Sequence, residues 1–394
     1  MNEWKEIEFA QMLMDESISY GIVQPGSHTE INSVPVIRVN NIKNGYIKTD
    51  DVLKVEKAIE EKYQRTRLVG GELLITVVGS VGECAIVPEN LKGWNVARAV
   101  SVARIKDSYD KRFVKYAFKT DDLIFQMYGN TNDTVQPTLN LSLLKKLKFT
   151  VPSLHEQKSI ASILSSLDDK IDLLHRQNAT LEALAETLFR QWFVEEAKEE
   201  WEVVQLGRFI ETNLNSIGKD YQEKQIEYLD TSSLTSGNFE TAQSLQLKDA
   251  PSRARRLVTH NDILISTVRP DQRHYGIVKN PIQNLVVSTG FCVITCLDID
   301  PHFVYLLLTN DEMTEYLHSI AEGSTSTYPS LKPSDIEKIE FAFPPEENLI
   351  EFGNLTSNIW DKINQNQTQI RTLTNLRDTL LPKLMNGEVR VGIN

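Results

Sequence analysis

The chain has 394 residues, a formal net charge of −12 at pH 7, 41% hydrophobic residues and 24% charged residues. This length predicts two or three domains, and the ordinary globular composition excludes collagenous, disordered and membrane-spanning classes. No apolar signal segment opens the sequence, and it contains only three cysteines. We therefore expect a cytoplasmic protein without membrane association.

The charge of the chain is unevenly distributed. Its net negative value gives no overall attraction to nucleic acid, which taken alone argues against a DNA-binding protein. Residues 201–345, however, hold most of their arginines in one short stretch: Arg253, Arg255, Arg256, Arg269 and Arg273. This distribution permits a local positive surface within an acidic protein.

The sequence repeats itself once, at an offset close to half its length. Framework residues recur in the same order in both copies: Glu72–Thr76 with Asp262–Ser266, Pro137–Leu139 with Pro329–Leu331, and Asp169–Ile171 with Asp361–Ile363. The period is much longer than that of solenoid repeats. Each copy is therefore predicted to be a whole domain with an appendage.

Each copy has a strand-rich part followed by a helical part. Short runs of Val, Ile, Thr and Tyr between Gly, Asn and Asp predict mainly β domains over residues 1–152 and 201–345. Residues 153–200 are predicted to form a central helix, and residues 346–394 a distal helix with a C-terminal tail. Shorter helices are predicted inside the β domains, over Lys111–Phe118, Phe303–Leu308 and Glu312–Ile320.

Heptad spacing of apolar residues characterises both long helical segments. The central segment carries Ile160, Leu167, Leu174, Leu181 and Leu188 on one series of positions. This favours a coiled coil over an amphipathic core helix, because core helices rarely exceed about 25 residues. The predicted fold is therefore α+β: two mainly β domains related by a pseudo-twofold repeat, joined by two long helices that form an antiparallel coiled coil.

One polar layer interrupts the predicted coiled coil. If Asn178 lies opposite Asn366, antiparallel pairing makes nearly every other layer apolar. The two asparagines are then predicted to fix the register of the helices. In the alternative interpretation, each asparagine is merely tolerated in a separate seam.

Local signals predict where the long helices begin and end. Ser153 and Glu156 fit a capping box at the start of the central helix. Pro382 predicts that the distal helix ends near Leu381, because proline cannot continue the hydrogen-bond ladder.

Several polar and aromatic side chains can be assigned to an environment from the sequence. The acidic pair Asp168 and Asp169 is interpreted as part of a solvated helix face. Three aromatic residues, Trp94, Tyr116 and Tyr128, are predicted to belong to the core rather than to stack on bases.

The sequence carries none of the common catalytic or cofactor motifs. It lacks HExxH, paired CxxC, Walker A, GxGxxG and GxSxG patterns. Its seven histidines and three cysteines show no spacing typical of metal ligands, so no metal site is predicted. An enzyme acting alone, such as a methyltransferase or a nuclease, is therefore disfavoured.

Three segments and the tandem plan resemble the specificity (S) subunit of type I restriction-modification systems. The segments are Pro152–Lys158, Leu188–Val194 and Leu380–Glu388, at the start and end of the central helix and the end of the distal helix. The second copy departs from the family pattern in Pro344–Asn348, which lacks the usual Glu-Gln. The polar Arg377 also interrupts the second seam.

The resemblance implies a function for each part. Residues 1–152 and 201–345 would be target recognition domains, each reading half of a bipartite site in double-stranded DNA. The helices would set the spacing and dock two modification (methyltransferase) subunits, and restriction (translocase/nuclease) subunits would complete the assembly. The chain itself would be non-catalytic and would hold no cofactor, with S-adenosylmethionine, Mg and ATP on partner subunits.

Candidate DNA contacts are chosen by chemistry, because base edges and phosphates are read by Arg, Lys, Asn, Gln, Ser and Thr. In the first domain they are Arg38, Asn40, Asn41, Lys43, Gly79, Ser80, Asn130, Thr131, Asn132 and Gln136. In the second they are Thr231, Ser232, Arg269, Gln272, Arg273, His274, Ser324, Thr325, Ser326 and Tyr328. Each could equally be an ordinary turn or surface residue. The alternative function is a stand-alone coiled-coil binding scaffold without DNA specificity.

Overall fold

The computed structural model describes residues 4–129, 138–218, 220–323 and 330–391. The chain divides into two compact units. Unit 1 comprises Met1–Asp172 and Ile370–Asn394, and unit 2 comprises Leu173–Gln369. Each unit thus combines one predicted recognition domain with a part of each long helix.

The described residues of unit 1 begin with eleven strands and five short α-helices, followed by the first long helix. The strands are β1 (Lys5–Glu8), β2 (Leu13–Tyr20), β3 (Ser33–Ile37), β4 (Ile42–Lys43), β5 (Tyr46–Ile47), β6 (Leu53–Glu56), β7 (Leu73–Thr76), β8 (Cys84–Ile86), β9 (Asn95–Val96), β10 (Val100–Ile105) and β11 (Lys148–Val151). The helices are α1 (Phe9–Met12), α2 (Lys57–Glu60), α3 (Lys111–Ala117), α4 (Asp121–Gly129), α5 (Leu141–Lys146) and the long α6 (Leu154–Arg190), which continues into unit 2.

Unit 2 contains the other twelve strands and four helices of the described residues. The strands are β12 (Val203–Gln205), β13 (Ile210–Thr212), β14 (Gln225–Leu229), β15 (Leu234–Thr235), β16 (Asn238–Phe239), β17 (Gln243–Gln246), β18 (Ala254–Leu257), β19 (Ile263–Ser266), β20 (Tyr275–Ile277), β21 (Leu285–Ser288), β22 (Phe291–Cys296) and β23 (Glu340–Ala342). The helices are α7 (Pro301–Thr309), α8 (Asp311–Glu322), α9 (Pro333–Glu337) and α10 (Glu346–Met385), whose last part belongs to unit 1.

The two units repeat the same sheet topology. A four-stranded antiparallel sheet has the order β2-β10-β7-β8 in unit 1 and β13-β22-β19-β20 in unit 2. A second sheet is built around β3 and β14, each with one antiparallel and one parallel neighbour, and β18 adds a fourth strand to it in unit 2. Each unit also has a two-stranded hairpin, β4-β5 or β15-β16, and a two-stranded sheet, β1-β11 or β12-β23. The repeat seen in the sequence is thus confirmed as a structural repeat.

The predicted internal helices are also confirmed, and the same residue type starts one in each copy. The side chain of Asp110 accepts two backbone N–H groups at the start of α3, and Asp300 does the same for α7. These caps satisfy amide groups that the first helical turn leaves without intrahelical partners. The helix predicted over Glu312–Ile320 is present as part of α8.

The two long helices pair antiparallel within each unit. In unit 2, Asn366 Nδ2 donates to Asn178 Oδ1 over 2.8 Å, and both side chains are buried. Phe189 and Phe352 also meet there, with ring centroids 6.3 Å apart. Residues later in α6 contact residues earlier in α10, as expected for two antiparallel helices. The predicted asparagine pair is therefore present.

In unit 1 the same two helices pack through apolar and ionic contacts. Ile160 and Leu164 of α6 share one core with Leu384 of α10. Arg377 Nη1 lies 2.9 Å from Asp168 Oδ1, and Tyr116 of α3 donates to the other carboxylate oxygen over 2.7 Å. Asp168 is 4% exposed, so its assignment to a solvated face was wrong. The Asp168 carboxylate can be buried because the Arg377 guanidinium compensates its charge and the Tyr116 hydroxyl donates a hydrogen bond to it.

The predicted capping box and the predicted end of the distal helix need correction. Ser153 Oγ accepts from the Glu156 backbone N–H at 3.3 Å, but the Glu156 carboxylate does not complete a capping box, because both its oxygens bind Arg390. Helix α10 does not end near Leu381. It continues to Met385 because residues after Pro382 fill the core of unit 1.

Tyr128 was predicted to lie in the core, and it is 44% exposed. The neighbouring Met127 of α4 takes the core position instead. Tyr116 is fully buried and Trp94 packs against a core cluster of unit 1, as predicted. No described helix has the length and hydrophobicity that a membrane crossing requires.

Candidate nucleic-acid interface

Four predicted DNA contacts of the first domain line a single open groove of about 610 Å³. These residues are Arg38, Asn40, Lys43 and Ser80, and small side chains at Ala97 and Ala99 also line the groove. Residues 38–43 follow β3, and Ser80 lies in the loop between β7 and β8. Polar groups from separate loops thus converge on one concave surface.

Asn41 plays a different part from its neighbours. It is 3% exposed, and its side-chain oxygen accepts the Arg38 backbone N–H at 2.9 Å. Its amide Nδ2 donates to the Asp51 carbonyl oxygen at 2.8 Å. Asn41 therefore shapes the turn that presents Arg38, Asn40 and Lys43, while its own polar atoms are engaged inside the protein.

Arg98 is a cation beside this groove that the residue-type argument did not select. It is exposed, it lies between Ala97 and Ala99, and its guanidinium makes no hydrogen bond or ion pair with the described residues. Its backbone is held firmly, since its N–H donates to the Ile22 carbonyl and Val100 N–H bonds Ala97. A lone arginine in a turn carries no sequence signal that would distinguish it from a solvated one.

The β7–β8 loop turns through glycine. Gly79 has φ of +77° and Gly82 has φ of +90°, a left-handed region in which a side chain is strained. Gly79 serves this geometry, and Ser80 is exposed beside it. Thr138 pairs with Val78 next to the same loop. The other predicted contacts of this domain, Asn130, Thr131, Asn132 and Gln136, lie outside the described residues.

The second domain places its candidates in equivalent loops. Thr231 and Ser232 lie in a short 3-10 turn after β14, at the position that Val39 and Asn40 occupy after β3. The Asp230 carboxylate accepts the Ser232 hydroxyl at 2.8 Å and the Ser233 backbone N–H at 3.0 Å. These bonds fix the turn, as Asn41 does in the first domain.

The β19–β20 loop holds four more candidates. Arg269, Gln272 and Arg273 are exposed. Arg273 Nη2 bonds Asp311 Oδ1 of α8 at 2.7 Å, and His274 Nδ1 lies 2.7 Å from the Leu234 carbonyl oxygen. Because a carbonyl oxygen can only accept, Nδ1 of His274 is the donor. Ser324, Thr325, Ser326 and Tyr328 lie outside the described residues.

The hairpin behind each set of loops rests on the helical part of its own unit. In unit 1, Lys115 Nζ lies beside Gly45 and over the Tyr116 ring at 4.8 Å, and burial lowers the pKa of this lysine. In unit 2, Gln367 Nε2 donates to the Gly237 carbonyl oxygen at 3.3 Å, with Glu182 also beside this turn. Burial, and to a smaller extent Glu186, raises the pKa of Glu182 to about 7.

Neither a metal centre nor a reactive thiol emerges from the described ranges. No group of three or more His, Cys, Asp or Glu residues that could hold a metal ion occurs there. Burial raises the pKa of Cys292 and of Cys296 to about 12, and it raises the pKa of Cys84 as well. These thiols are therefore protonated near neutral pH, which is the form that does not act as a nucleophile.

Comparisons with known proteins agree on one family. The sequence matches the family described as type I restriction modification DNA specificity domain twice, over residues 22–183 and 198–380. A relative is the specificity subunit of type I restriction enzyme MjaIX from Methanocaldococcus jannaschii, 27% identical over an alignment of 371 residues that covers 88% of this chain and 84% of that protein. The EcoBI specificity subunit of Escherichia coli is 28% identical over an alignment of 179 residues that covers 44% of this chain and 37% of that protein.

A solved structure has the same fold. The S subunit of a type I restriction-modification system from M. genitalium superposes with a TM-score of 0.61 at 16% sequence identity. The match covers 99% of this chain and 97% of that one. Together with the two family matches, which cover both copies of the repeat, these findings establish that the chain belongs to the type I restriction-modification DNA specificity family.

Proposed function

We propose that this protein is the non-catalytic specificity subunit of a type I restriction-modification complex, and that each of its recognition domains reads one half of a bipartite site in double-stranded DNA. The long helices set the spacing between the halves and dock two modification subunits. Those subunits bind S-adenosylmethionine and methylate the DNA, and restriction subunits supply Mg²⁺- and ATP-dependent cleavage.

One observation carries the proposal: equivalent loops of the two domains present different polar side chains. The first domain offers Arg38, Asn40, Lys43 and Ser80, and the second offers Thr231, Ser232, Arg269 and Gln272. The four-stranded sheets that carry the β7–β8 and β19–β20 loops have equivalent strand orders. A common scaffold with unlike reading groups suits two half-sites of different sequence, because specificity comes from side chains that meet base edges.

The test combines methylation mapping with a domain exchange. We expect the host genome to carry a split methylated motif that disappears when the gene for this chain is deleted. Replacement of residues 1–152 by the corresponding domain of a relative should change one half of the motif and leave the other half intact. Co-purification with modification subunits should accompany both results.

A different pair of results would contradict the proposed function. If no modification subunit co-purifies and deletion leaves the methylation pattern unchanged, the chain is not a specificity subunit in its host. The stand-alone scaffold without DNA specificity would then be the better description.

A further inference from the structure

We infer that His318 of α8 is a positioning residue that holds the β19–β20 loop, so that Gln272 becomes a base-reading side chain of the second domain. Tyr128 of α4 has the corresponding role for the β7–β8 loop. This inference rests on the proposed function and adds to it the residues that prepare each reading loop.

The backbone of the β19–β20 loop is strained. Arg269 has φ of +49° and Arg273 has φ of +55°, so two non-glycine residues adopt the left-handed region on either side of the short turn Pro270–Gln272. A left-handed conformation is unfavourable for a residue other than glycine, and it persists only where its surroundings hold it. The loop therefore requires external contacts.

Two side chains of α8 supply those contacts. Asp311 Oδ1 accepts Arg273 Nη2 at 2.7 Å. His318 Nδ1 lies 3.3 Å from Asp271 Oδ1, at ion-pair distance without hydrogen-bond geometry, and its Nε2 lies 3.5 Å from Glu322. One central residue of the loop, Asp271, and the flanking Arg273 thus contact two positions of α8 that lie about two turns apart.

Gln272 is the residue that this arrangement leaves free. It is exposed, and its side-chain amide makes no hydrogen bond within the described ranges. A glutamine amide can donate to and accept from one adenine edge in the major groove. Because the loop backbone is already shaped, the entropy lost when Gln272 engages a base is mainly that of its own side chain.

In the first domain a helix side chain also contacts the equivalent loop, but the residue is a tyrosine instead of a histidine. Tyr128 is the eighth residue of α4, as His318 is of α8, and its hydroxyl donates to the Val81 carbonyl of the β7–β8 loop at 3.4 Å. Met127 lies against Gly82 of that loop, where a side chain would collide with it. Here glycines provide the left-handed geometry, so a weaker contact suffices.

The experiment uses the complex of the full chain with its modification subunits. The probes are duplexes that carry the bipartite site defined by methylation mapping of the wild type, and duplexes with each base pair of either half substituted in turn. The variants are Gln272→Ala, His318→Ala and His318→Asn, in which the asparagine amide can still approach Asp271. Glu315→Ala, an exposed residue of the same helix, is the matched control.

We expect Gln272→Ala to reduce discrimination at one base pair of the second half-site about tenfold or more. His318→Ala should lower discrimination about three- to tenfold in that half alone, and His318→Asn should restore most of it. The first half-site and the unfolding temperature should match those of Glu315→Ala. If His318→Ala instead weakens both halves equally or lowers the unfolding temperature in step with the loss, its role is only structural.

The inference and the proposed function fail in different ways. If the wild-type complex defines no bipartite site, the proposed function fails before any variant is compared. If the wild type discriminates and both Gln272→Ala and His318→Ala behave like Glu315→Ala, the proposed function stands and the positioning role is refuted.

Discussion

At the scale of single residues, Glu182 should make the stability of unit 2 depend on pH. Burial and Glu186 raise its pKa to about 7 in the folded protein, whereas an unperturbed glutamate side chain has a pKa of 4.5. The folded state therefore retains a proton that the unfolded state releases, and the free energy of unfolding falls as pH rises from about 4.5 to about 7. Glu182→Gln should remove this dependence.

Chemical denaturation at pH 5 and pH 8 measures the effect. At pH 8 we expect Glu182→Gln to be more stable than the wild type by on the order of 1–2 kcal/mol, with a smaller difference at pH 5. Glu315→Gln, which removes an exposed carboxylate of the same unit, is the control. An unchanged pH dependence in Glu182→Gln would show that this carboxylate is ionised in the folded protein.

The buried carboxylate of Asp168 provides a second residue-scale prediction. It accepts from Arg377 and Tyr116, and burial raises the pKa of Tyr116, which keeps the hydroxyl protonated as a donor. Asp168→Ala leaves the Tyr116 hydroxyl without its acceptor and leaves Arg377 with Asp378 as its carboxylate partner, and it should cost about 1–3 kcal/mol of unfolding free energy. Asp169→Ala, at the exposed neighbouring position, should cost less than about 0.5 kcal/mol in the same denaturation experiment. Equal losses would contradict the ionic contact.

At the scale of elements, the asparagine layer should couple the two long helices. Asn178→Leu or Asn366→Leu alone leaves one buried amide without its partner, at a cost of about 1–3 kcal/mol. The double variant should recover part of this loss, because an apolar pair can replace a polar pair at little cost. A double-mutant cycle by denaturation, with Gln177→Leu as the exposed control, measures the coupling. Additive losses would mean that the two amides do not interact.

At the scale of the whole molecule, periodic features were predictable and tertiary contacts were not. The repeat, the heptads and the Asn178–Asn366 pair follow from spacing, which depends only on the sequence. The burial of Asp168 depends on Arg377 and Tyr116, which are remote in sequence. Four of the six described candidates of the first domain line one groove, yet residue type could not separate Asn41, which is engaged internally, from Asn40.

Because the chain has a net charge of −12 and DNA is also negatively charged, its affinity for DNA depends on local cations and on the assembled complex. Lys43 and Arg98 are exposed at or beside the groove, so each is suited to a phosphate contact. In the proposed complex with modification subunits, Lys43→Ala or Arg98→Ala should weaken binding on every duplex alike and lower the salt slope by about 1. Gln272→Ala should leave that slope unchanged, because a base contact releases no condensed counterion. Lys92→Ala, at an exposed site away from the groove, is the control. If the salt slope of Lys43→Ala equals that of Lys92→Ala, Lys43 does not contact a DNA phosphate.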